Sequence, residues 1–80
     1  MNGMAQLSHI EVYIADKVAM DIFTAKENNY PVTVEFLWKQ VNFYSRMLPG
    51  FGHKKLKVTE KENIIAYILD LRERGLLEFK

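Results

Sequence analysis

Cysteine is absent from this chain of 80 residues, which removes disulfides, thiolate metal sites and thiol nucleophiles together. Proline occurs only at positions 31 and 49, so the backbone is interrupted by helix breakers at just two places. No stretch approaches the roughly 20 apolar residues that a membrane span requires. Residues 1–6 have neither a basic start nor an apolar run, so they do not read as a secretory signal; they read as a flexible lead. These absences point to one small cytoplasmic domain, 1–80, near the lower size limit for independent folding. With so small a core, pairing into a homodimer is a natural supplement.

What is present is strongly helical in pattern. Ser8-His9-Ile10-Glu11 has the spacing of a capping box, in which the Ser hydroxyl takes an amide three residues on and the Glu reaches back. Behind it, Ile10, Ile14, Val18 and Ile22 recur every four residues, with Ala15, Ala19 and Phe23 alongside. Ile10 to Ile14 also alternates as a strand would, but the cap and the longer period favour a helix, ended by Asn28-Asn29-Tyr30-Pro31. Thr33 caps a second helix reaching about Leu48, stopped by Pro49-Gly50. Its apolar residues, from Val34 to Leu48, cover more than half the circumference, as in a helix central to a fold or covered by a second chain.

The spacing Thr59-Glu60-Lys61-Glu62 predicts another capping box opening a third helix, with Ile64, Ile65, Ile68, Leu69 and Leu71 on its buried side. Gly75 stands where a left-handed helix end belongs. Leu56 and Val58 alternate with lysines, and Leu76-Leu77-Glu78-Phe79 reads as extended. Together they predict a short two-stranded β element from residues 55–58 and 76–79. The expected fold is mainly α: three helices with that small β element.

Charge is distributed unevenly. Residues 1–45 hold three Lys against five acids, a balance of −2. Residues 46–61 hold Arg46, Lys54, Lys55, Lys57 and Lys61 against Glu60 alone, a balance of +4, and residues 62–80 return to −1. A local cationic segment of this kind suits phosphate binding, although lysines on a loop also serve solubility.

The stretch Thr59 to Phe79 resembles the end of a winged helix-turn-helix domain, on Ile64, Ile68, Leu71 and the exit Glu73-Arg74-Gly75-Leu76-Leu77. The resemblance covers about a quarter of the chain. It implies a winged-helix-like fold, binding to double-stranded DNA with the third helix in the major groove, and a role as a small DNA-binding regulator acting as a dimer. Arg46, Lys54, Lys55, Lys57 and Lys61 would then contact phosphates, and Asn63 is the candidate for a base edge.

A second reading makes the chain a protein-interaction or assembly module docking through the second helix, with Trp38 and Phe43, on opposite margins of its apolar arc, facing a partner. Neither reading is enzymatic. His9 and His53 are the only histidines and have no carboxylate or second His at ligand spacing, and Ser8, Thr33 and Thr59 read as caps. No cofactor or metal is expected.

Overall fold

A computed structural model of the chain describes residues 7–78. The expected flexible lead, residues 1–6, and Phe79 of the expected second strand lie outside the described residues. Three helices follow in order: α1 (His9–Glu27), α2 (Val34–Met47) and α3 (Val58–Glu73), with a single 3-10 turn at Leu48–Phe51 between the last two.

α1 begins as its sequence dictates. The Ser8 hydroxyl accepts the Glu11 N–H at 3.2 Å, and the Glu11 carboxylate accepts the Ser8 N–H at 2.7 Å. Glu11 is buried, so this second bond also satisfies a carboxylate withdrawn from water. The helix ends at Asn28, and Asn29 takes a left-handed φ of 57°, a conformation Asn tolerates better than most residues. Thr33 then caps α2, its Oγ1 accepting the Phe36 N–H at 3.1 Å. Pro49 is absorbed into the 3-10 turn, and Gly52, at φ 83°, reverses the chain toward α3.

α3 starts two residues earlier than the capping pattern predicts. Lys57 is the N-cap, and the Glu60 carboxylate accepts its backbone N–H at 2.7 Å. Lysine has no side-chain acceptor, so only this half of a capping box is possible. Thr59, the expected cap, lies exposed in the first turn.

The expected two-stranded β element is not formed: among the described residues there is no strand. The amides that a ladder would use are engaged elsewhere. Leu56 donates its N–H to the Ser45 hydroxyl at 3.1 Å, Lys57 donates to Glu60, and Val58 already belongs to α3. On the other side, Leu76 N–H returns to the Leu71 carbonyl at 2.9 Å, closing the helix end around Gly75 at φ 75°. Among the described residues the fold is therefore three helices without a wing, in place of the expected winged-helix-like architecture.

All three helices pack on one another. Ile14, Val18 and Ile22 of α1, Leu37 and Val41 of α2, and Ile64 and Ile68 of α3 are fully buried at their meeting point. Burial of each such side chain contributes about 1.5–3 kcal/mol relative to exposure. The principal extents are 34, 33 and 17 Å, so the bundle is a slab with a thin core and broad faces. No described helix is long and apolar enough to cross a membrane.

Candidate functional site

α1 is apolar on two sides. Its core line, Ile14-Val18-Ile22, is buried, while Tyr13, Met20 and Phe23 lie some 140–160° around the helix from it, at about 100° per residue. They face outward: Tyr13 is 54% exposed, and Met20 and Phe23 are each 64% exposed. Phe23, expected beside the core positions, is thus on the solvent face.

Each half of this face borders a hollow. Beside the first half, Tyr13, Leu48 and Phe51 line two adjoining hollows of about 240 and 180 Å³, completed by Ile10 and His53 in one and by Lys17, Tyr44 and Met47 in the other. Phe51 stands 69% exposed there because the Pro49-Gly50 turn carries it out from the end of α2. The Lys17 ammonium lies 5.4 Å from the Tyr13 ring centroid, in cation–π range. Beside the second half, Ala19, Met20, Phe23, Thr24 and Leu77 line a hollow of about 330 Å³, with Leu76 exposed next to Leu77.

A polar knot fixes α1 against α2 beneath the first hollow. Asp21 Oδ2 accepts both the Gln40 Nε2–H at 2.8 Å and the Tyr44 hydroxyl at 2.5 Å. Burial, the hydrogen bond to Asp21 and the carboxylate's charge push the Tyr44 phenol up to about 12. Phe43 meets the Tyr44 ring edge-on, with centroids 5.3 Å apart.

The two residues expected at a partner interface separate. Phe43 is exposed, but Trp38 is half-buried and packs against the core, its outer edge lining a hollow with Tyr30, Glu35 and Lys39. α2 is therefore less open than its sequence suggests: Leu37 and Val41 are fully buried, and Phe36 and Tyr44 also pack on the core.

The cationic segment is held at one point. Buried Ser45 takes the Leu56 N–H, and the Leu56 side chain packs against the core. Arg46 follows Ser45 directly, and Lys55 and Lys57 flank Leu56, so this clip keeps them in one neighbourhood. Arg46, Lys54, Lys55 and Lys57 are exposed and Lys61 is half-buried; none of the five has an ion-pair partner among the described residues. Asn63 is half-buried on α3, where Glu62 and Glu73 stand exposed and Asp70 holds Arg74 at 3.0 Å.

No three His, Asp or Glu side chains come together as a metal site among the described residues. His9 and His53 are both exposed, one in the first turn of α1 and the other in the loop before α3. No protein-family model, curated protein or solved structure matches the chain.

Proposed function

We propose that the chain is a non-catalytic interaction and assembly module, docking through the outward face of α1 and the hollows beside it. The observation that carries this reading is the exposure of Tyr13, Met20 and Phe23 on one face of α1, with Phe51 exposed in the hollow that Tyr13 lines. Single exposed apolar side chains are ordinary, whereas contiguous ones mark interaction sites. Large side chains on such a face give up about 25 cal/mol per Å² when a partner removes them from water. The test is binding of an environment-sensitive apolar dye to the native protein at a dilution where it is monomeric. The dye should bind the unmodified chain and bind Phe51→Glu and Phe23→Glu much less, with helicity unchanged. Equal, weak dye binding by all three proteins would remove the basis of the reading.

One observation favours a second reading, binding to duplex DNA without a wing: Arg46, Lys54, Lys55, Lys57 and Lys61 have no acidic partners among the described residues, and the Ser45–Leu56 clip gathers most of them. The cations would meet phosphates, since Glu62 and Glu73 on α3 repel the backbone that a reading helix must approach. A mobility shift at low and high salt tests it. Replacing Lys54, Lys55 and Lys57 together by Ala should flatten the slope of log affinity against log salt by about 0.9 for each phosphate no longer neutralised. An unmodified protein that ignores duplex at low salt would dispose of this second reading.

A further inference from the structure

The two adjoining hollows beside Tyr13 are apolar within and cationic at the rim. Lys17 lines one of them, and no carboxylate lines either. Met47, Leu48, Phe51 and His53, which form the wall opposite α1, all belong to the segment 46–61 whose balance is +4. Consecutive Cα atoms are about 3.8 Å apart. Arg46 beside Met47 and Lys54 beside His53 therefore act within the roughly 10 Å over which charge is felt at 0.1 M salt. Lys17, Arg46 and Lys54 have no ion-pair partner among the described residues. Two nearby carboxylates are turned to the fold: Asp21 accepts from Gln40 and Tyr44, and Glu11 is buried against the Ser8 amide. Asp16 stands exposed next to Lys17, one acid against three cations.

We infer that the occupant of these hollows is an acidic amphipathic segment of a partner protein, its apolar side chains seated in them and its carboxylates facing the cationic rim. This inference rests on the assembly reading above and names the partner's chemistry. Singly, the hollows of about 240 and 180 Å³ are smaller than the roughly 300 Å³ at which small-molecule sites begin, so each suits one apolar side chain. Two adjoining hollows suit side chains one turn apart on a helix, as in helix-in-groove recognition. Met47, with its flexible thioether, lets the wall adapt to what enters. A nucleic-acid strand fits less well, because Ile10, Leu48 and Met47 offer base edges no hydrogen bonds and the Tyr44 hydroxyl is given to Asp21. A lipid surface would bury exposed Phe51 but leave the concave hollows unfilled.

Selection from displayed random peptides of about 15 residues, roughly four helical turns, tests this chemistry. Peptides enriched on the unmodified chain should be net acidic, with apolar residues paired three or four positions apart. In fluorescence anisotropy, Lys17→Glu and Lys54→Glu should each weaken binding of such a peptide about fivefold, and Phe51→Glu should weaken it further. Phe23→Glu, at the other end of α1, should leave the affinity unchanged. Lys54 and Phe51 are exposed outside the three long helices, so their variants decide the matter even where Lys17→Glu disturbs α1. Enrichment of basic or neutral peptides, or of none, overturns the inference, as does an affinity indifferent to Lys54 and Phe51. Oligothymidine or phosphatidylserine vesicles that bind more tightly than the peptide, through the same two residues, also overturn it and assign the surface to nucleic acid or lipid. Failure of the peptide leaves the assembly reading standing if the dye still distinguishes the native surface from Phe51→Glu; loss of that distinction overturns both.

Discussion

Leu56 donates its backbone N–H to the hydroxyl of Ser45, a residue 2% exposed and buried alongside a core of Ile, Leu, Val and Ala side chains. This one bond joins the end of α2 to the loop before α3 and takes the amide that an extended strand would have used. Ser45→Ala leaves the amide unpaired in a partly buried place, at a cost of about 1–3 kcal/mol. The expected result is a melting temperature lower by several degrees, together with faster hydrogen exchange at Leu56. Unchanged exchange at that amide would show that the clip does not hold the loop.

Tyr44 and Asp21 give the fold an alkaline signature. The phenol ionises near 12 in the folded chain against about 10 when unfolded, so the folded state holds its proton more tightly. Stability from this source is fully present below pH 10 and is lost as pH rises toward 12. Absorbance titration should show a tyrosinate step centred near pH 12 that Tyr44→Phe removes. Tyr44→Phe should also make the melting temperature less sensitive to pH across this interval. A titration curve that loses no such step in the variant would contradict the hydrogen bond to Asp21.

At the start of α3 the expected roles of neighbouring residues are exchanged. Glu60→Ala removes the carboxylate that accepts the Lys57 N–H and should cost roughly 1 kcal/mol, whereas Thr59→Ala should change stability by less than about 0.5 kcal/mol. Thermal melts of the two variants decide it. If the Thr59 variant melts lower, the helix begins where its sequence spacing suggests.

Trp38 and Phe43 should separate in the same kind of measurement. Trp38→Ala removes a ring packed on the core and should cost on the order of 2–3 kcal/mol. Phe43→Ala removes an exposed ring that meets Tyr44 edge-on, and should cost about 1 kcal/mol or less. Equal losses in chemical denaturation would place both rings in the core.

The helices were readable because their signals are local. Ser8 with Glu11, Thr33, the two prolines and Gly75 each act within a few residues, and the structure uses each near where the spacing puts it. That the expected β element does not form was not readable, because strand pairing depends on where distant amides find acceptors. Here Ser45, Glu60 and the Leu71 carbonyl take them first. The outward face of α1 was obscured for a related reason. A run as apolar as Ile10 to Phe23 reads as core, although Tyr13, Met20 and Phe23 fall opposite the Ile14-Val18-Ile22 line on a helical wheel. That angular offset was the available signal.

Methionine footprinting in the presence of the apolar dye tests the central claim most directly, because Met47 lines the hollow beside Tyr13 and Met20 the hollow beside Phe23, and both are exposed in the single chain. The account predicts that saturating dye slows peroxide oxidation of both residues, and that Phe51→Glu removes the protection at Met47 while Phe23→Glu removes it at Met20. Oxidation of Met20 and Met47 at the same rates with and without dye would contradict it.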